Sequence, residues 1–217
     1  MNAALAECRL YGIVDMGYVQ PEAVPEITRR LLEGGVRVLQ LRAKGVPLPQ
    51  VAALAAAMQP LCRAAGALFV LNDYPALAAE LGADAVHVGQ DAGPLAEVRR
   101  TVGSRMLVGR STHSVQQAMA ARDEGADYIG FGPLFPTATK PGRSAVGTEH
   151  IARVVALAGR DMPVFCIGGV NRSTLPEVLA AGAQRVVIVS WLLQHLDPAS
   201  AVRECLAAIP PIRAPRG

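Results

Sequence analysis

Short polar clusters interrupt an otherwise apolar sequence, and their residue types suit the handling of phosphate esters. In Gln40-Leu41-Arg42-Ala43-Lys44 an extended backbone would put Gln40, Arg42 and Lys44 on one side. Two cations and an amide suit a diphosphate, although the same segment would serve as a solvated strand end. Asn72-Asp73 offers an amide to orient a ligand and a carboxylate able to ligate Mg2+, and is also a common turn or cap pair. In His87-Val88-Gly89-Gln90-Asp91-Ala92, Asp91 reads as a second metal-shell carboxylate or a plain loop residue, and His87 as a hydrogen-bonded core histidine ahead of a catalyst. Ser111 in Gly109-Arg110-Ser111-Thr112-His113-Ser114 can touch a phosphate, Ser114 suits a helix N-cap, and His113 leans towards a structural role.

The stretch Phe131-Gly132-Pro133-Leu134-Phe135-Pro136-Thr137-Ala138-Thr139-Lys140 frames Thr137, Thr139 and Lys140 with prolines and reads as an anion-binding loop. The glycine-rich residues 141–147 after it have the composition of a lid or of a plain exposed loop. Gly168-Gly169 and Ser190 complete the set as a backbone N–H site for a monophosphate. Two separate anion sites suggest two phosphorylated small-molecule substrates brought together.

These clusters must be positioned by regular elements. Apolar runs at 10–14, 36–41, 68–71, 85–88, 106–108, 128–130, 164–167 and 186–189 read as buried strands. Helical patterns at 21–33, 48–65, 75–81, 95–102, 115–124, 149–157, 174–180 and 199–208 alternate with them. Eight such pairs predict a single-domain (β/α)8 TIM barrel of the α/β class, and each polar cluster then falls at a strand's C-terminal end, where such barrels carry their chemistry. Gly35-Val36-Arg37, Gly82-Ala83-Asp84, Gly125-Ala126-Asp127 and Gly182-Ala183-Gln184 punctuate helix ends and mark the second, fourth, sixth and eighth strands. A period of two units favours a closed barrel with alternating layers over an open doubly wound sheet. The barrel is expected over residues 1–209, with 210–217 a loose tail.

With 217 residues, 51% hydrophobic and 18% charged, the chain can bury one large core. A net charge of +3 without a basic run argues against nucleic-acid binding. Cys8, Cys62, Cys166 and Cys205 form no C-x-x-C pair, which speaks for buried reduced thiols and against a zinc or thioredoxin-like site. The first nine residues lack the pattern of a secretory leader, and no apolar run reaches the roughly 18 residues of a membrane span. A cytoplasmic protein without a membrane partner is expected; the sequence leaves a homo-oligomer open.

The ordered succession Gln40-x-Arg42-x-Lys44, Asn72-Asp73, Val86-His87-Val88-Gly89-Gln90, Ser111-Thr112-His113, Gly132-Pro133-x-x-Pro136-Thr137-x-Thr139-Lys140 and Ile167-Gly168-Gly169 resembles the thiamine-phosphate synthase family, over about residues 10 to 206. The resemblance implies a (β/α)8 fold. It also implies coupling of hydroxymethylpyrimidine diphosphate to a thiazole phosphate, carboxylated or not, with release of pyrophosphate, Mg2+ as cofactor and no organic cofactor. By motif, Gln40, Arg42, Lys44, Asn72, Ser111 and Lys140 would hold the pyrimidine diphosphate; Thr137, Thr139, Gly169, Val189 and Ser190 would hold the thiazole phosphate. Arg42, Lys44, Ser111 and Lys140 would carry a dissociative substitution, with Asp73 on the metal. One departure stands out: where the family usually has a second acidic ligand, this chain has Ala92, so either Asp91 shifts into the role or water replaces it.

Three rival readings can be distinguished. A thiazole tautomerase would share the barrel without needing the diphosphate clamp of Gln40, Arg42, Lys44 and Lys140. A sensor of thiamine phosphate or a precursor would bind without turnover. A sugar-phosphate isomerase or aldolase would need Lys44 or Lys140 in an apolar pocket.

Overall fold

A computed structural model describes residues 3–137 and 144–212. Eight parallel strands close into a barrel in sequence order: β1 (Leu10–Asp15), β2 (Val38–Arg42), β3 (Leu68–Asn72), β4 (Ala85–Val88), β5 (Leu107–Thr112), β6 (Tyr128–Phe131), β7 (Val164–Ile167) and β8 (Val186–Ile188). The helices are α1 (Ala3–Glu7), α2 (Val24–Gly34), α3 (Leu48–Ala64), α4 (Pro75–Leu81), α5 (Leu95–Val102), α6 (Val115–Asp123), α7 (Ile151–Leu157), α8 (Leu175–Ala180), α9 (Ser190–Leu193) and α10 (Pro198–Ala208). No helix among the described residues is long and apolar enough to cross a membrane.

The strands are nearly continuous apolar runs because both faces are covered. One set of alternate side chains, including Leu39, Leu41, Val86 and Val108, packs outward against the helices. The other fills the barrel, where Tyr11, Val38, Val70, Tyr128, Phe165 and Val187 form a separate cluster. Leu5 and Cys8, from α1 and the turn after it, close that inner cluster. Each large apolar side chain buried in this way contributes about 1.5–3 kcal/mol.

At two of its four places the period-two echo has a structural cause. The Asp84 backbone N–H donates to the Phe69 carbonyl at 3.2 Å, and its carboxylate accepts the Phe69 N–H at 2.8 Å. Asp127 repeats this on Val108, both bonds at 2.8 Å. Each aspartate thus ties the entry of an even strand to the preceding odd one. The glycines before them, Gly82 (φ 62°) and Gly125 (φ 83°), end the foregoing helices in the left-handed conformation that an L side chain resists.

Several boundaries differ from the sequence reading. β5 runs to Thr112, well past the apolar run, because Ser111 and Thr112 remain in register with Gly130 and Phe131 of β6. β2, β3 and β5 consequently hold Arg42, Asn72 and Ser111 on the strands themselves. The helix expected over 21–33 splits into a 3-10 turn, Pro21–Ala23, and α2, with Pro25 in the first turn of α2. α1 and α9 are too short to show a helical period.

Candidate active site

The side chains that point inward at the C-terminal ends of the strands line one cavity, with Tyr11, Tyr128 and Phe165 deep in it. These three rings meet at 5.3–5.9 Å between centroids, Phe165 edge-on to both tyrosines. Gln40, only 2% exposed, donates from Nε2 to the Tyr11 hydroxyl at 2.8 Å, and that hydroxyl lies 3.2 Å from the Tyr128 hydroxyl. Burial pushes both tyrosine pKa values up, so the phenols stay neutral. The amide of Gln40 is therefore anchored from below on an uncharged pair.

Of the residues singled out in the sequence, Gln40, Arg42, Asn72, Ser111, Thr137, Gly169, Val189 and Ser190 all line this cavity. Thr139 and Lys140 lie outside the described residues, as do residues 141–143 of the lid segment. The remainder of that segment is tied down: the Val146 and Gly147 N–H groups donate to the Pro133 and Leu134 carbonyls at 2.8 and 3.2 Å.

Lys44 does not line the cavity beside Gln40 and Arg42. β2 ends at Arg42, so the alternation that would have aimed Lys44 inward stops, and a turn follows. Its Nζ instead meets Asp73 Oδ2 at 3.2 Å with the lysine side chain 52% exposed. That environment does not fit the buried Schiff-base or general-base lysine of an aldolase or isomerase.

Asp73 (φ 60°) and Tyr74 (φ 54°) both adopt left-handed backbone, and Asp73 Oδ2 also accepts from Asn72 Nδ2 at 2.9 Å. Asp91 and Ala92 are exposed on a 3-10 turn, Gln90–Ala92. Among the described residues no three His, Cys, Asp or Glu side chains gather as a metal cluster.

Ser111 is held at both ends: its Oγ lies 3.0 Å from His87 Nε2, and its carbonyl accepts from Gln90 Nε2 at 2.6 Å. His87 and His113 both line the cavity, so neither is merely a core residue. His113 bonds through Nδ1 to the Gly132 carbonyl, next to the cis Gly132-Pro133 peptide. On the opposite side, Leu134 and Phe135 donate to the Ile167 and Gly168 carbonyls at 2.9 and 3.1 Å, zipping the loop after β6 to the loop after β7. A Cβ on Gly168 would stand 2.5 Å from Pro133 Cα, and one on Gly169 2.6 Å from Phe135 Cβ, which explains the glycine pair. Ser190 opens α9 at the cavity wall.

Two parts of the site were not read from sequence. One is the Tyr11–Gln40–Tyr128 chain; the signal available was parity, since Tyr11 shares a strand face with Ile13. The other is Asp15, which pairs with Arg42 and whose sign was a lone carboxylate closing an apolar strand. The cysteines are all unpaired and buried, and burial pushes the Cys166 thiol up to about 12, so none is a ready nucleophile.

A family model described as thiamine monophosphate synthase matches residues 10–192. A thiamine-phosphate synthase of Acidothermus cellulolyticus is 42% identical, over 96% of this chain and 98% of that one. One from Thermus thermophilus is 44% identical, over 84% and 87%. A solved thiamine phosphate pyrophosphorylase from Pyrococcus furiosus superposes with a TM-score of 0.84 at 28% identity, over 96% of this chain and 98% of that one.

Proposed function

This chain belongs to the thiamine monophosphate synthase family, and on that premise we propose that it joins hydroxymethylpyrimidine diphosphate to a thiazole phosphate, giving thiamine phosphate and pyrophosphate. The observation that carries the reading is the single cavity in which Gln40, Arg42, Asn72 and Ser111 face Gly169, Val189 and Ser190. One side offers two amides, a guanidinium and a hydroxyl to a pyrimidine diphosphate; the other offers glycine backbone and a hydroxyl to a phosphate. A tautomerase would have no use for the first side.

In this reading the diphosphate leaves first and the thiazole nitrogen captures the resulting pyrimidine cation. Gln40 holds the aminopyrimidine, while Arg42, Lys44, Ser111 and Lys140 meet the charge that builds on the departing oxygens. Preorganised donors of this kind stabilise the transition state more than the substrate. Thr137, Thr139, Gly169, Val189 and Ser190 fix the thiazole phosphate, so that its nitrogen waits in line. The apolar floor of Phe165, Ile167 and Val187 keeps water from the cation.

The donor set fits Mg2+, which binds through one or two carboxylates together with substrate phosphates and water. Asp73 supplies a carboxylate already collecting cationic and amide donors, and Asp91 is the second candidate; the methyl of Ala92 supplies nothing. Bound there, Mg2+ would add positive charge against the diphosphate. The buried reduced cysteines agree with work in the cytoplasm.

The test is incubation of the purified protein with both substrates, with and without Mg2+, following thiamine phosphate by mass spectrometry. Mg2+-dependent product is expected. Binding of both substrates without product would overturn the synthase reading and bring the sensor forward.

A further inference from the structure

Among the described residues, the mouth of the barrel contains two cation–carboxylate pairs that differ sharply in environment. Lys44 and Asp73 are 52% and 31% exposed, whereas the side chains of Arg42 and Asp15 are 13% and 2% exposed. Asp15 and Arg42 are register partners at the ends of β1 and β2. Their side chains share the inward parity of Tyr11 and Ile13 on one strand and of Gln40 on the other. Arg42 Nη1 donates to Asp15 Oδ2 at 2.7 Å. The other carboxylate oxygen accepts the Gly17 N–H at 3.0 Å, and the Met16 N–H donates to the Arg42 carbonyl at 2.9 Å. The carboxylate is thus fixed before it meets the guanidinium, and the two strand ends are fixed to each other.

From this geometry we infer that Asp15 is a positioning residue for the reaction: it sets the direction of the Arg42 guanidinium towards the anion in the cavity. Asp15 is buried behind Arg42 and acts through it. An arginine has several rotatable bonds, and holding one rotamer before the ligand arrives removes an ordering cost that binding would otherwise meet. The fork of a guanidinium also needs the right plane to meet two phosphate oxygens together, which a mobile side chain does not provide. Asp15 has an opposing effect, since its negative charge repels the same anion. Direction and charge therefore predict opposite outcomes when the carboxylate is removed, and the inference commits to direction. It rests on the synthase reading only in taking the anion to be a diphosphate.

The decisive measurement is calorimetric titration of inorganic pyrophosphate with Mg2+, which requires no turnover and so separates this inference from the activity assay. Asp15→Ala should weaken pyrophosphate about tenfold, the scale of ordering one long side chain. Asp15→Asn, neutral but still an acceptor for Arg42, should stay within about threefold of the parent protein. In an Arg42→Ala background, Asp15→Ala should cause no further loss, and pyrophosphate should bind equally or slightly more tightly because only the repulsion of the carboxylate is then removed. If Asp15→Ala fails to fold, Asp15→Val fills the space without an acceptor and takes its place. With both substrates, kcat/KM should fall about a hundredfold for Asp15→Ala and recover in Asp15→Asn. Tighter pyrophosphate in the alanine variant, equal behaviour of alanine and asparagine, or a full additional loss in the Arg42→Ala background would each overturn the inference.

Discussion

Replacing Tyr11 by phenylalanine removes one oxygen and leaves two polar groups behind. That oxygen stands 2.8 Å from Gln40 Nε2 and 3.2 Å from the Tyr128 hydroxyl, and both tyrosines are 2% exposed or less. The Tyr128 hydroxyl, on the floor of the cavity and on a side chain only 1% exposed, loses this partner, which costs about 1–3 kcal/mol. Gln40 faces the cavity, where water can replace the lost acceptor, so its share is below about 1 kcal/mol. The sum, about 2 kcal/mol, corresponds to a fall in melting temperature of roughly 4–8 °C for a chain of this size. Urea and thermal unfolding of Tyr11→Phe, Tyr128→Phe and the double variant would measure it. The double variant removes the orphan along with its partner, so its loss should be smaller than the sum of the single losses by about 1 kcal/mol. Strictly additive losses, or an unchanged melting temperature in Tyr11→Phe, would refute the account of the floor as a hydrogen-bonded chain.

Alkaline stability follows from the buried acids. Burial raises the thiols of Cys8, Cys62, Cys166 and Cys205 from 9.0 to about 12, and raises both phenols above 10.0. The folded state keeps these protons longer than the unfolded chain, so their contribution is complete below about pH 9 and lost as pH rises towards 12. The urea midpoint should be flat from pH 7 to about 9 and then fall; a flat profile to pH 11 would contradict the burial. Ser111→Ala should lower kcat/KM by about ten- to a hundredfold with little change in melting temperature, because the hydroxyl faces the cavity and its neighbour His87 can be reached by water. A stability loss without a rate loss would make Ser111 structural. Gly169→Ala places a Cβ 2.6 Å from Phe135 Cβ at φ 68° and so pushes the loops after β6 and β7 apart. It should raise KM for the thiazole phosphate about a hundredfold, with KM for the pyrimidine diphosphate far less affected.

Much of this architecture was legible because barrel strands are buried on both faces and announce themselves as apolar runs. Legibility failed where strands continue in polar residues. The run ending near Gly109 hides the extension of β5 to Thr112, which is held by register with β6 and not by hydrophobicity. Lys44 illustrates the opposite error, since period-two reasoning holds only while the chain stays extended, and it turns just after Arg42. The glycine–aspartate echo was visible as a pattern, but its reason, an aspartate bonding both backbone groups of Phe69 or Val108, is a contact between strands that sequence spacing does not display. Asp15 was missed for a related cause: its meaning lies in a neighbour 27 positions away.

The two ion pairs at the mouth suggest how the site divides its work. Arg42 is held by a carboxylate that is nearly excluded from solvent and anchored by the Gly17 N–H, so the pair has little freedom to rearrange. Lys44 and Asp73 are partly exposed, at 52% and 31%, where such a pair is worth only about 0–1 kcal/mol and separates readily. An arriving diphosphate can draw Lys44 to itself and free the Asp73 carboxylate at the same moment. Freed oxygens at that position are what Mg2+ requires. Lysine capture and metal capture would then be coupled through one carboxylate, with Arg42 as the fixed reference between them. The coupling has a measurable consequence: Lys44→Ala leaves Asp73 without its cation, so Mg2+ alone should bind this variant more tightly than the parent protein, even as pyrophosphate binds more weakly. Equal Mg2+ affinity in the two proteins would mean that Asp73 is not the shared group.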